Sequence, residues 1–534
     1  MNTLYINSSE PGAAEKAAEI LQSGGIVAIP TETVYGLAAN ALDPGAVKKI
    51  FEAKGRPQDN PLIVHVSSLE EIPPLVSKIS PALYPLAEKF WPGPLTLIMK
   101  KSDLVPDEVT AGLDTVAIRM PSHPAAREII RKSGLPLAAP SANASGRPSP
   151  TKASHVKEDL DGRIDAVIDG GDCSVGVEST VISLVSDPPV LLRPGGISPA
   201  QLEEVLGKIE ISHAVFEKLA EGEKAQSPGM KYKHYAPKAK VTLIKGSFEK
   251  YKKFLLAQKT ATCAVCFEGE GKYFEHSLEY GIKGDAGSQA EHIFDALRRV
   301  DETGCENAFV RFPDMQGVGL AVYNRLLRSA AFNVIDLDFT RPVYGLTGPT
   351  GAGKTTIGEV FSSHGCNVID TDLLARKAVE NPQVIKDISE SFGADLFESG
   401  NLNRRELARR AFSSPENTML LNKITHPEIT KLTIEEIHLG EGRGAKASVI
   451  DAPVLFESPL TAVCDKIICV TAPEEERIKR ISLRDGITEQ EARVRVAAQK
   501  SISEYAALSD VIIENTDPVT AAQAAGKFIT EELK

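Results

Sequence analysis

The sequence predicts a multidomain α/β protein, and three observations carry that prediction. At 534 residues the chain is too long for one core, given roughly 150 residues per domain. Short β-capable runs, among them Ile26-Val-Ala-Ile29, Val241-Thr-Leu-Ile244 and Ala308-Phe-Val-Arg-Phe312, alternate with helical stretches. The stretch Gly348-Pro-Thr-Gly-Ala-Gly-Lys-Thr355 fits G-x-x-x-x-G-K-[ST], and it starts late enough that a folded protein is expected ahead of it.

Composition narrows the class. Hydrophobic residues make up 42% of the chain and charged residues 25%, which is ordinary globular material. A net charge of −12 argues against a broad nucleic-acid-binding surface. No apolar run approaches the ~20 residues that span a bilayer, and Met1-Asn-Thr-Leu-Tyr-Ile-Asn7 has no basic or apolar leader character, so no membrane association is expected. Seven scattered cysteines suit free thiols in the cytoplasm. Cys263 and Cys266 lie three apart in a β-like run, which turns them to opposite faces and makes them structural rather than metal ligands.

In the first half, a helix over Ala13–Ser23 leads to the strand Ile26–Ile29. Pro30-Thr-Glu-Thr-Val-Tyr-Gly-Leu37 then reads as a strand-to-helix turn that exposes hydroxyls and a carboxylate, or as a helix cap alone. Lys54-Gly-Arg-Pro57 places two cations where they can converge on a phosphate chain. His65 sits at a strand end, where a structural role is the commoner one. Arg119 ends a buried-looking strand and needs an anionic partner. Pro140-Ser-Ala-Asn143, Ser149, Val175-Gly-Val-Glu-Ser-Thr-Val181 and Leu192-Arg-Pro-Gly-Gly196 add hydroxyl, amide and cationic groups that taken singly are turn chemistry.

Taken in this order, these five motifs resemble the YrdC-type threonylcarbamoyl-AMP synthase family over residues 1 to about 205. Ser227-Pro-Gly-Met-Lys-Tyr-Lys-His-Tyr-Ala-Pro237 and Gly317-Val-Gly-Leu-Ala-Val-Tyr-Asn-Arg-Leu326 resemble the linker and the ending of that synthase's longer form. The resemblance implies a twisted mixed-sheet α/β domain (1–205), an active-site linker (206–238) and a small Rossmann-like α/β domain (239–338). It implies joining of L-threonine, bicarbonate and ATP into threonylcarbamoyl-AMP and pyrophosphate, for use by the tRNA-threonylcarbamoyl transferase machinery at tRNA position 37. Thr33, His65, Arg119, Ala139 and Ser179 would hold threonine. Lys54, Arg56, Asn60, Thr115, Ser141, Ser149 and Arg193 would hold ATP, with Tyr232 or His234 closing over the nucleotide and Mg²⁺ bridging its phosphates.

In the second half, Val343–Thr347, the glycine loop and the helix after it, from Ala352 to Phe361, form an anion site at a helix N-terminus. Cys366-Asn-Val-Ile-Asp370 is a second strand. Asp372, just beyond it, is either a proton acceptor across from the loop or the cap of a helix over Leu373–Val379. Thr425-His-Pro427 reads as a turn. Arg477, Arg480 and Arg484 share one helix face and suit a lid over a transferring phosphoryl group. With Ala447-Ser-Val-Ile-Asp-Ala-Pro-Val-Leu-Phe-Glu457, these residues resemble dephospho-CoA kinase over 342–534, with the fold of a P-loop kinase, a parallel sheet flanked by helices. That implies ATP-dependent 3′-phosphorylation of dephospho-CoA. Gly348, Pro349, Thr350, Gly351, Ala352, Gly353, Lys354, Thr355 and Thr356 would hold ATP, Thr355 the Mg²⁺. Asp372 would be the base, and Lys354, Arg480 and Arg484 would stabilise the developing charge. The rival readings are a non-catalytic tRNA-binding first half and a different small-molecule P-loop kinase in the second.

Overall fold

The computed structural model describes residues 2–219, 223, 225–227, 235–398 and 401–533. The chain divides into two compact units, residues 1–244 with 260–334, and residues 245–259 with 335–534. Among the described residues no helix is long and apolar enough to cross a membrane.

Among the described residues, the first unit is built on a mixed sheet of eleven strands. Its centre runs Ile63–His65, Thr115–Arg119, Leu95–Lys100, Thr180–Ser183 and Val190–Arg193. Register assigns the two faces. Ile63 pairs with Ala117, His65 with Arg119, and Ile98 with Ala117 and Ser183. Because side chains alternate along a strand, His65, Thr115, Ala117, Arg119, Ile98 and Val181 share one face. Val64, Leu97, Ile118 and Ile182 take the other and join the main core under the helices. On the first face, Ile63, Ile98, Ala117, Val181 and Leu192 form an apolar floor, and Ala214, Leu219 and Ala225 pack over it. The segment that enters the linker is therefore anchored by burial.

Pro30–Leu37 corrects an expectation, since it joins two strands instead of opening a helix. Gly36–Asn40 pairs antiparallel with Val27–Ile29 on one side and with Leu137–Ala138 on the other. Pairing along both edges, with burial on both faces, outweighs the helix preference of its alanines.

The small α/β part follows, with parallel strands Lys240–Lys245, Thr262–Cys266, Ser277–Glu279 and Asn307–Arg311. Cys263 and Cys266 lie in the second of these and both are buried. Its helix Gly319–Ser329 is buried almost throughout.

In the second unit a parallel sheet runs Asn367–Asp370, Ser448–Asp451, Val343–Thr347, Lys466–Thr471, Val511–Glu514. Register sets Asp370 and Leu346 beside Asp451, so two carboxylates and the glycine loop gather at the carboxyl ends of the strands. The helix after the loop starts at Lys354, later than expected, because Gly351 and Gly353 hold φ of 82° and 92°. Thr425-His-Pro427 is also corrected, from a turn to part of one helix, Pro415–Gly442. Ile434 and Ile437 are buried beyond the proline, and that burial sustains the helix past it.

Pro427 removes the N–H that would reach back one turn. Pro427→Ala is expected to stabilise the second unit by up to ~3 kcal/mol. An upward shift in its thermal or urea midpoint checks this, and an unchanged or lower midpoint refutes it.

Candidate active sites

A pocket open at its mouth lies at the end of the shared sheet face. Its lining includes Lys54, Arg56, His65, Arg119, Ser141, Asn143, Glu178, Ser179, Arg193 and Tyr235. Arg119 has its anion inside the protein: Nη2 donates to Glu32 Oε1 at 2.7 Å, with both side chains buried. Glu32 Oε2 also accepts from the Ser122 N–H at 3.0 Å. Among the described residues, Nε of Arg119 is buried with no partner, so half of the guanidinium fork is unused. His65 is pushed down to about 3, by burial first and by Arg119 second, so it is neutral. Its Nδ1 faces the Ile63 carbonyl at 3.2 Å, which can only accept, and Nε2 is left as an acceptor.

Lys54 is buried against oxygens of one loop. Nζ donates to the Ser141 carbonyl and to the Asn143 carbonyl at 2.6 Å and side chain at 3.2 Å. Burial, followed by Arg56, holds its ammonium well below the usual lysine range. Lys54 thus shapes the loop more than it offers a free charge. Arg193 donates from Nε and Nη2 to the Ser179 carbonyl and from Nη2 to the Ser179 hydroxyl, which also meets Thr96 Oγ1 at 2.8 Å.

In the second unit Lys354 Nζ reaches the Gly348 carbonyl at 3.1 Å. The glycine loop is tied down by its carbonyls. Arg477 donates to Thr350 O at 3.0 Å, Asn515 Nδ2 to Ala352 O at 2.8 Å, and Arg480 to Gly351 O and Ala352 O at 3.4 and 3.5 Å. Space is tight: a Cβ on Gly348 would sit 2.1 Å from Val470 O, and one on Gly353 2.1 Å from Asn515 Nδ2. Asp370 caps the next helix, accepting from the Asp372 and Leu373 N–H groups, which leaves Asp372 free of the capping duty. Burial and Asp370 hold the Asp372 carboxyl above the usual range, while Lys354 and Arg376 oppose the shift. Asp451 is pushed up to about 6, chiefly by burial, and its Oδ1 has no partner. Among the described residues, no group of three or more His, Cys, Asp or Glu side chains is placed to hold a metal alone.

Three family models match the chain: one described as telomere recombination over residues 19–195, the threonylcarbamoyl-AMP synthase C-terminal domain over 197–331, and dephospho-CoA kinase over 342–520. A threonylcarbamoyl-AMP synthase of Pyrococcus abyssi is 49% identical over 324 residues, covering 60% of this chain and 94% of the relative. A dephospho-CoA kinase of Corynebacterium efficiens is 38% identical over 192 residues, covering 35% of this chain and 96% of the relative. The chain belongs to both families. It is a bifunctional enzyme. The crystal structure of P. abyssi Sua5 complexed with L-threonine is also similar, at 43% identity and TM-score 0.59 over 63% of this chain and 99% of that one.

Of the residues expected in the synthase site, Lys54, Arg56, His65, Arg119, Ala139, Ser141, Ser179 and Arg193 line one pocket. Thr33 is fully buried beside it, bonded to Thr31 at 2.9 Å. Asn60 is buried, with its carbonyl accepting from Arg56 at 3.3 Å, and Ser149 donates to Glu178 behind the wall. Thr115 lines a second opening further along the same face, with Ile98, Ser183 and Leu192. Tyr232 and His234 lie outside the described residues. Glu32, Asn143, Glu178 and Tyr235 were not expected as site residues, although all four stand inside the motifs read from the sequence.

In the kinase, Lys354 and Asp372 act on each other's charge. Arg477 and Arg480 both hold loop carbonyls. Arg484 is exposed and paired with its neighbour Asp485 at 2.8 Å. The Thr350 N–H is taken by Gln499 Oε1 at 3.0 Å. Asp451 was missed, though an apolar strand ending in Asp beside the loop was the available signal.

A carboxyl raised in the folded state binds its proton more tightly there than in the unfolded chain, so stability falls as pH climbs from about 4 to about 6. Above that window the ionised Asp451 is a stability cost. Asp451→Asn should therefore melt later than the parent at pH 7–8 while losing at least about 100-fold in kinase rate. Calorimetry and ADP release measure the pair, and an Asn variant that melts earlier with full activity contradicts the assignment.

Proposed function

We propose that the first pocket holds L-threonine and ATP side by side. The observation that carries this is the half-used guanidinium of Arg119: Glu32 fixes one edge, and the buried Nε has no partner among the described residues, so a carboxylate brought against it would complete the fork. His65 Nε2 suits a donor on the amino acid, and Ser179, with Arg193 beside it, suits its oxygens. ATP would run along the same sheet face toward Thr115, which accounts for a nucleotide residue some four positions from Arg119 on one strand. A carbamate oxygen made from threonine and bicarbonate attacks the α-phosphorus. A new P–O bond forms, the bond to pyrophosphate breaks, and no covalent enzyme intermediate is required. Arg56 and Arg193 would carry the charge on the phosphates. The product is then passed to the tRNA-modifying machinery.

In the kinase, ATP would lie on the N–H groups that remain available in the glycine loop, with Lys354 at the β and γ phosphates. The raised carboxyl of Asp372 is a better proton acceptor than an ordinary aspartate, and it would take the proton of the ribose 3′-hydroxyl of dephospho-CoA. The exposed Thr355 hydroxyl and the unpartnered Asp451 Oδ1 are hard oxygen donors that fit Mg²⁺. When bound, Mg²⁺ would neutralise charge between the β and γ phosphates.

The test gives the full chain ATP and Mg²⁺ with threonine plus bicarbonate, or with dephospho-CoA. Arg119→Ala is expected to cut pyrophosphate release by at least about 100-fold and leave ADP formation unchanged; Lys354→Ala should do the reverse. If either variant silenced both reactions, the division into two independent sites would be wrong.

A further inference from the structure

The helix Gly319–Ser329 lies in the small α/β part, yet it sends one cation into the wall of the synthase pocket. Arg325 is wholly buried, 147 residues from its carboxylate. Its Nε donates to Glu178 Oε2 at 2.7 Å, Nη1 to the Pro194 carbonyl at 2.8 Å, and Nη2 to the Glu178 carbonyl at 3.5 Å. Asn324 Oδ1 steadies Nη1 at 3.0 Å, and the guanidinium lies 5.9 Å from the Tyr235 ring centre. One side chain thus touches three pocket segments: the loop of Glu178 and Ser179, the loop after Arg193, and the residue that closes the linker.

Charge accounting gives this contact a consequence. Glu178 is a buried carboxylate, and its other oxygen accepts from Ser149. Arg193 is close enough to feel the charges of both Arg325 and Glu178. Arg325 satisfies the free edge of Glu178, while Arg193 keeps its Nε and Nη2 on Ser179. Without Arg325, a buried carboxylate would need another cation, and Arg193 is the one at hand.

We infer that Arg325 is a positioning residue for the synthase reaction: by pairing with Glu178 it prevents that carboxylate from drawing Arg193 away from the nucleotide. The inference rests on the pocket reading above. It also gives the small α/β part a place in the synthase site, since the catalytic sheet contributes the carboxylate and the later helix supplies its counter-charge.

The test uses the full chain, following pyrophosphate release at varied ATP, with dephospho-CoA kinase turnover as an internal report on the second unit. In Arg325→Gln, KM for ATP should rise about tenfold or more, with kcat changed less and kinase turnover unaltered. Adding Glu178→Gln removes the competing carboxylate, and KM should return to within about threefold of the Glu178→Gln single variant. A folded Arg325→Gln chain with parental KM, even with a lower melting temperature, overturns the proposal, as does a double variant as impaired as Arg325→Gln. If Arg325→Gln does not fold, the double variant removes both members of the pair and decides alone, on the same comparison with Glu178→Gln. A parent chain without threonine-dependent pyrophosphate release would overturn the pocket reading itself.

Discussion

Taking a guanidinium out of water is costly unless a carboxylate goes in with it, and three such pairs organise the first unit. Arg119 meets Glu32, Arg298 meets Asp159 through two bonds of 2.8 and 3.2 Å, and Arg325 meets Glu178. Each pair joins segments at least 87 residues apart. Breaking such a pair by deleting one member typically costs about 3–5 kcal/mol, a large part of a domain's net stability. The pairs therefore act as registration points. Because they lie in or behind the pocket wall, the residues that hold the fold together also set where charge is available to a substrate.

The fold class and most of the pocket were legible in the sequence, for different reasons. Alternating strands and helices gave the α/β class, and the glycine loop gave the second site, since both are local patterns. The synthase pocket was legible because Lys54, His65, Arg119, Ser179 and Arg193 stand in short motifs. Their partners were harder to see. Glu32 and Glu178 stand inside those same motifs, but nothing local says that a carboxylate will face an arginine 87 or 147 residues away. Asp451 is similar, since only the strand register sets it beside Asp370 and the loop. Thr-His-Pro reads as a turn because proline ends most helices, whereas burial on both sides of Pro427 keeps this one intact.

The two ATP sites solve one problem with different materials. The kinase uses backbone: a strand, a loop with three glycines at positive φ, and a helix N-terminus. The synthase uses side chains on the face of a mixed sheet, where the register of Thr115–Arg119 sets the line along which a nucleotide would lie. Each requires burial of charge, and the cost differs. In the kinase it is carried by Asp451, Asp372 and Lys354, all displaced from their ordinary titration range. In the synthase it is met largely by internal ion pairs.

The carbonyl ties on the glycine loop bear on nucleotide affinity. Arg477, Arg480, Asn515 and Gln499 hold the backbone of three consecutive residues, Thr350, Gly351 and Ala352. Ordering a free backbone costs roughly 1–2 kcal/mol per residue, so a slack loop of this length would give up several kcal/mol on binding. Here that entropy has already been lost during folding. A nucleotide bound there would meet a preorganised cradle, and its interaction energy would go into holding phosphate.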